Sequence, residues 1–202
     1  MRDRVAPLSG IVFVVLLIIG FFVVSGNTPD LEDSGASVVT YYADHQSREI
    51  AAAIIVAAAS VFLAIFTASL RERLRSAGAG NELWATVALI GGGAAVAGFL
   101  VAVGIHVALI DGGDKHIPAD AMVAINAIDN DNFFSFSLPL GIMLLGAAGA
   151  TLTTGALPRW LGWVGLIIAI LFFTPIGFLA FALSGVWIVI VSIVMSRQSV
   201  TA

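Results

Sequence analysis

Three histidines and a set of carboxylates are the residues of this chain whose types are suited to holding a metal ion. His45, His106 and His116 lie close to the segments that carry most of the acidic residues, and imidazole with carboxylate oxygen is a common zinc ligand set. They are candidate ligands of an outward-facing, metal-dependent membrane enzyme. However, the chain has no HExxH motif and no pair of histidines one helical turn apart. The spacing therefore favours the alternative, in which two histidines are solvated and His106 forms hydrogen bonds at an interface.

Other residue patterns that are typical of catalytic or metal sites are missing from the sequence. The chain has no cysteine, which excludes disulfides, thiolate nucleophiles and cysteine-ligated metals. The run Asp129–Asn132 resembles the start of a calcium loop, but the glycine and glutamate that an EF-hand requires are absent. Its better interpretation is a helix cap in which the side chain of Asp131 or Asn132 accepts from backbone N–H groups. We therefore predict no catalytic residue and no cofactor.

The composition indicates a membrane protein. Of the 202 residues, 59% are hydrophobic and 11% are charged, whereas soluble domains carry about 25% charged residues. Such an apolar excess must face lipid, because a soluble domain of this length cannot cover its surface with so few charges. The predicted fold is a single all-α domain, residues 1–202, built as a bundle of transmembrane helices.

Six transmembrane spans are predicted. The uncharged stretch from Trp160 to Met195 is nearly twice the roughly 20 residues that one crossing needs. Thr174, Pro175 and Gly177 lie at its middle and predict a turn between two spans. The complete set of predicted spans is 8–25, 50–70, 83–110, 133–152, 160–174 and 177–195.

The basic residues predict the orientation of these spans. With the amino terminus inside, seven of the nine basic residues fall in inner segments and most acidic residues fall outside, as expected for cytoplasmic loops. The inner-face anchors are Arg71, Arg73, Arg75 and Arg159. We therefore expect a multi-pass protein of a bacterial plasma membrane with both termini in the cytoplasm. The first span has a second interpretation as a signal peptide, although its apolar run is longer than such peptides usually have.

Two outer loops are predicted to contain short amphipathic helices. In the first, Ser34 is placed to cap a helix in which Val38, Val39 and Tyr42 share one face. In the second, Pro118 is placed to open a helix with an apolar stripe. That stripe is Ala121, Met122, Ile125 and Ile128, with Asp120 and Asn126 lying off it. Both helices are expected to lie on the outer membrane surface or to cap the bundle.

Small residues mark the predicted contacts between helices. They recur at four-residue spacing in the third and fourth spans, a pattern that lets two helices approach closely. They predict tight packing of spans three and four, or an oligomer interface. The packing residues are Gly91, Gly93, Ala94, Gly98, Gly104 and Gly146.

One motif resembles a known family. The run from Gly155 to Gly162 reads Gly-Ala-Leu-Pro-Arg-Trp-Leu-Gly and resembles the small-x-L-P-R-W-L-G signature of an uncharacterised bacterial family of six-helix membrane proteins. Ala36–Tyr42 is similar to the first outer loop of that family, and Gly26–Asp30 resembles a variant found in its actinobacterial members. The resemblance implies six spans and implies no activity.

The leading functional hypothesis is a non-catalytic membrane protein. It would be an accessory or assembly subunit of a membrane complex, or a binder of lipid or another apolar ligand. The alternatives are the metal-dependent enzyme and a small facilitator for an uncharged solute, which needs no buried charge. The expected partners are the lipid bilayer and a protein partner or second copy bound through small-residue faces; no nucleic acid is expected.

Overall fold

The computed structural model describes residues 5–78, 80–115 and 117–198. Within these ranges all regular secondary structure is helical, and there is no strand. The helices are α1 (Ala6–Val24), α2 (Gly35–Asp44), α3 (Gln46–Ser76), α4 (Glu82–Asp114), α5 (Ala119–Asp131), α6 (Phe133–Thr154), α7 (Arg159–Leu171) and α8 (Gly177–Gln198). The all-α fold class is confirmed.

Five helical stretches are long and apolar enough to cross a membrane. They are α1, α3, α4, α8 and the near-continuous pair of α5 and α6. The remaining predicted span, α7, has 13 residues, shorter than the roughly 20 that a straight crossing needs. The predicted break is present, because α7 ends at Leu171 and α8 begins at Gly177.

The packing of α4 against α6 is the most extensive in the bundle. It depends on glycines, because a methyl group at Gly91, Gly98 or Gly146 would lie less than 3.0 Å from backbone atoms of the facing helix. The backbones thus approach closely, as the spacing of small residues predicts. A methyl group added at Gly93 or Gly104 would have no neighbouring atom within 4 Å. Ala94 is exposed. An oligomer interface for these three residues stays a prediction.

The predicted arginine anchors gather at one end of the bundle. Arg71 forms an ion pair with Glu82 at 2.9 Å, and Arg73 donates to the carbonyl of Ala156 at 3.2 Å. Arg75 pairs with Glu72 at 3.4 Å on the same helix, and Arg159 is exposed. This end is opposite to Glu49, which lies in the first turn of α3. The glycine at residue 155 ends α6 in the left-handed conformation at φ 74°, as expected for a C-terminal cap.

Two helices of the structure, α2 and α5, are short. Ser34 caps α2 by accepting from the backbone N–H of Ser37 at 3.2 Å. Val38 and Tyr42 of α2 pack with Leu109, Ile110 and Met122 in a small apolar cluster.

One detail of the second short helix, α5, and one of α6 differ from the predictions. Asn126 is 3% exposed although it was placed off the apolar stripe, whereas Ala121 and Ile128 of that stripe are exposed. The buried face of the helix differs from the predicted one because the Asn126 amide donates to the carbonyls of Pro29 and Asp30. The predicted side-chain cap of α6 is also wrong. Asn132 stands at the cap position with helical dihedrals and makes no side-chain cap bond, since α5 and α6 are separated by this residue alone.

Candidate functional site

A buried carboxylate organises one end of the bundle. The Glu49 side chain is fully buried, and α3 places it on the same face as Ala52, Ala53 and Val56, which are buried too. An ionised side chain in such a place must be paired and hydrogen-bonded. We call its surroundings the polar cluster, which comprises Ser25, Gly26, Tyr41, Arg48, Glu49, His106 and Asp129.

Four neighbours from three segments bond to Glu49 besides His106. Its Oε1 atom accepts from the Tyr41 hydroxyl at 2.9 Å, from the Arg48 guanidinium at 3.2 Å and from the Gly26 N–H at 3.3 Å. Its Oε2 atom accepts from the Ser25 hydroxyl at 2.9 Å. Ser25 and Gly26 reach this position because α1 ends in a wide π-helical turn, Ile19–Val24, closed by the bond from Ser25 N–H to the Gly20 carbonyl.

His106 lies between two carboxylates. Its Nε2 atom is 3.3 Å from Glu49 Oε2, and its Nδ1 atom is 3.0 Å from Asp129 Oδ2. A carboxylate without a proton can only accept hydrogen bonds. A neutral imidazole has one N–H group, so a second ring proton is needed for His106 to donate to both carboxylates. With that proton in place, the three groups and the adjacent Arg48 guanidinium sum to zero charge. The bridge connects α3, α4 and α5.

The two tyrosines lie beside this bridge. Tyr41 donates to Glu49 and receives a bond from Arg48 at 2.8 Å, while its ring stacks on His45. The Tyr42 ring meets His106 edge-on at 5.6 Å, and its hydroxyl is buried with no partner among the described residues. Burial, followed by the hydrogen bond to Glu49, raises the pKa of Tyr41 to about 12. Burial also raises the pKa of Tyr42, and the Asp129 charge adds to that effect.

Alkaline titration should report this environment directly, because the chain has two tyrosines in all. We expect phenolate absorbance of the folded protein to stay low at pH 10, where a solvated tyrosine is about half ionised. Both folded pKa values exceed the unfolded value, so this contribution to stability is complete below pH about 10 and is lost as pH rises toward about 12. The denatured chain is the control, with a midpoint near 10; a folded protein with the same midpoint would contradict the prediction.

The three candidate metal ligands are not brought together within the described residues. His106 is bonded to the two carboxylates, and His45 contacts the Tyr41 carbonyl through Nδ1 at 2.9 Å; His116 lies outside the described residues. Residues 5–78, 80–115 and 117–198 contain no group of three or more histidine, aspartate or glutamate side chains arranged to hold a metal ion. The reason at His106 is geometric, because the imidazole separates Glu49 from Asp129 instead of converging with them on one point.

A cavity opens beside the polar cluster. Its volume is about 250 Å³, and its walls come from α1, α3, α4, α5 and α6. Ala52, Ala53 and Val56 form one apolar wall, and Phe133 and Phe136 form another. We call it the polar cavity because six polar residues line it, namely Ser25, Thr28, His106, Asp129, Asn130 and Asn132.

An apolar groove shares part of its lining with the polar cavity. It has a volume of about 580 Å³ and lies between α1 and α8 with α6 as its floor. Its walls are almost wholly hydrocarbon, contributed among others by Phe13, Leu17, Leu140, Phe181, Val186 and Ile190. Phe21, Phe133 and Phe136 line both the groove and the polar cavity. The same three aromatic side chains therefore border both spaces, one of which has polar groups in its lining and the other of which is apolar.

Comparison of the chain with family models, curated proteins and solved structures gives no match. The composition and the long apolar helices are those of an integral membrane protein.

Proposed function

We propose that this membrane protein binds an amphiphilic lipid, with the polar head in the polar cavity and the hydrocarbon chain in the apolar groove. The observation that carries the proposal is that Phe21, Phe133 and Phe136 line both spaces. Ligand pockets are typically apolar with a few placed polar groups, at volumes of about 300–1,000 Å³. A purely apolar ligand would leave Asp129 and Asn132 facing hydrocarbon, so the ligand must be polar at one end.

Co-purification of lipid tests the proposal. The full chain extracted in mild detergent should carry one lipid per chain by native mass spectrometry. Ala182 lines the groove and is exposed there, so Ala182→Trp should fill the space and reduce lipid occupancy at least about tenfold, since pocket affinity depends on the buried surface. Ala94→Trp is the matched control, because Ala94 is exposed on α4 away from both spaces. Equal occupancy in all three proteins, or none in the parent, would refute the proposal.

A six-span arrangement with both termini in the cytoplasm accompanies this proposal. The gathering of Arg71, Arg73, Arg75 and Arg159 at one end supports it through the excess of basic residues in cytoplasmic loops. The helix α7 would cross by continuing through the turn at 172–176. The bacterial plasma membrane is the proposed location, and the resemblance of Gly155–Gly162 to the six-helix family is retained as part of the proposal.

Cysteine labelling separates six spans from five, because the chain has no native cysteine. Single cysteines at Ser76, Ile176 and Ser196 are tested in intact cells with a membrane-impermeant maleimide. Six spans predict that position 176 alone is labelled. If α7 does not cross, position 196 is labelled and position 176 is protected.

A further inference from the structure

We infer that the polar cavity exchanges the second ring proton of His106 for the positively charged amine head of a lipid. The inference rests on the proposed function and adds to it the chemical class of the head group and its regulation by pH. Three features of the site carry it: the exposure of His106 and Asp129 to the cavity, the pairing of Asp129, and the charge balance of the polar cluster.

His106 and Asp129 are within reach of a molecule in the polar cavity. Among the described residues they are the ionisable side chains that line it. Their side chains are 17% and 18% exposed, whereas that of Glu49 is fully buried. The described lining residues include no lysine or arginine. The cation that this wall can itself supply to a carboxylate is therefore the protonated imidazole.

The charge of Asp129 is matched by His106. Asp129 Oδ2 is 3.0 Å from His106 Nδ1, and the carboxylate has no other hydrogen bond or ion pair within the described part of the chain. Glu49 differs, because it has four further donors, one of which is the Arg48 guanidinium. Loss of the second ring proton therefore leaves Asp129, and not Glu49, without a counter-charge.

The net charge of the polar cluster depends on this one proton. With both ring nitrogens of His106 protonated, two cations and two carboxylates sum to zero. With a neutral ring, one negative charge is uncompensated, and a charge that is partly removed from water is costly without a partner. A positively charged head in the cavity restores neutrality. Beside a protonated ring the same head would meet a like charge, so the proton and the head compete for Asp129.

The groups around the His106 ring come from three helices. They are Glu49 and Arg48 of α3, Asp129 of α5, and Tyr41 and Tyr42 of α2. The residues of α1 and α6 that line the cavity are uncharged. On α4 itself, the charged residue nearest in sequence is Asp111, which pairs with Lys115 at 2.8 Å. Arginine keeps its proton throughout the accessible pH range, so the imidazole is the group here that is suited to titrate near neutral pH.

Binding of two lipids with identical chains, measured across pH, tests the inference. One is a dioleoyl trimethylammonium-propane lipid, whose positive charge is permanent, and the other is uncharged dioleoylglycerol. Radiolabelled lipid bound to the immobilised, delipidated full-length protein is measured from about pH 5 to about pH 10. This window spans the ordinary imidazole pKa of about 6.5 and ends below the pKa of Tyr41, which burial raises to about 12.

The affinity for the trimethylammonium lipid should rise at least about tenfold from the acid to the alkaline end of this window. The reason is that apparent affinity scales with the fraction of protein in the binding-competent state, here the state with a neutral His106. Because the head itself does not titrate, the change must come from the protein. The affinity for dioleoylglycerol should not change. A trimethylammonium profile that is flat, or that falls as pH rises, would overturn the inference.

Two substitutions assign the effect to the bridge. His106→Gln cannot take up the proton, so at pH about 5 it should bind the trimethylammonium lipid as tightly as the parent does at pH about 10, a gain that a damaged fold does not produce. Asp129→Asn removes the negative charge, so at alkaline pH the preference for the trimethylammonium lipid over dioleoylglycerol should disappear. A rise with pH that persists in His106→Gln, or a preference that persists in Asp129→Asn, would refute the inference.

His45→Gln is the matched control, because His45 does not line the polar cavity and should keep the pH profile of the parent. Loss of the profile in this variant would assign the titration to His45 and contradict the exchange at His106. Free tetramethylammonium has the same charged group without a chain for the groove. It should displace the lipid only at concentrations at least about a hundredfold higher, since apolar burial contributes to affinity. Displacement at equal concentration would assign the site to a soluble cation and overturn the lipid class.

Ala182→Trp distinguishes failure of the inference from failure of the proposed function. Dioleoylglycerol binding that this variant abolishes, together with a flat trimethylammonium profile in the parent, contradicts the exchange and leaves the lipid-binding function intact. Binding of both lipids that is insensitive to Ala182→Trp contradicts both.

Discussion

Replacing Glu49 with alanine is expected to lower the free energy of unfolding by about 3–5 kcal/mol, the cost of breaking a buried ion pair by removing one partner. The loss is large because the side chain is fully buried and accepts from Ser25, Gly26, Tyr41, Arg48 and His106. Each donor would lose its acceptor. Unfolding of the purified protein in mixed micelles with increasing dodecyl sulfate, followed by tryptophan fluorescence, measures the change.

The matched control is Glu72→Ala on the same helix. Glu72 is largely exposed and pairs with Arg75 at 3.4 Å, and exposed pairs contribute about 0–1 kcal/mol. Glu49→Gln should give an intermediate loss, because the amide retains one acceptor oxygen and turns the other acceptor into a donor. Equal stability of the Glu49→Ala and Glu72→Ala proteins would show that the polar cluster does not hold this end of the bundle.

The second large effect is expected at Gly98. Gly98→Val should destabilise the bundle by about 1–3 kcal/mol, the usual cost of overpacking, with the upper end favoured here. The reason is that a Cβ atom at this position would lie less than 3.0 Å from backbone atoms of Ser135 and Phe136. A backbone cannot change rotamer to make room, so α4 and α6 would have to separate. The same dodecyl sulfate titration measures the loss.

Gly93→Val and Gly104→Val provide the comparison on the same helix. Neither glycine has an atom within 4 Å of an added Cβ. Valine and glycine differ in helix propensity by a few tenths of a kcal/mol in favour of valine, so these variants should be neutral or slightly stabilising. Losses of similar size at positions 93, 98 and 104 would mean that intrinsic helix effects, and not the approach of α6, explain the result.

Much of the fold can be predicted from the sequence because few backbone structures are stable in lipid. Long apolar runs must become helices, since backbone groups have no partner in hydrocarbon. The breaks at Ser34, Gly155 and Pro175 follow from capping and turn chemistry that is local in sequence. The length of α7 could not be predicted as well. Thr174 and Pro175 indicate a turn, but they do not show how many residues on either side remain helical.

The site was largely missed. Glu49 is one of the acidic residues that the charge pattern assigns to the outer segments, whereas it begins the buried face of α3. A signal existed, since Glu49 stands three, four and seven residues before Ala52, Ala53 and Val56, at the spacing of one helix face. His106 was singled out for its position near the end of a span, but its partners could not be. They lie 57 residues before it and 23 residues after it, and only tertiary packing brings them together.

The bridge of His106 between Glu49 and Asp129 also has a consequence for the order in which the protein assembles during synthesis. During synthesis Glu49 leaves the ribosome 57 residues ahead of His106, and Asp129 follows 23 residues later still. In the nascent chain α3 thus presents an acid that no imidazole yet neutralises, which is costly inside hydrocarbon. Closure of this end of the bundle must wait until α4 and α5 have been made. The first half of the protein therefore holds Arg48 and three other donors to Glu49 but lacks the bridge to Asp129.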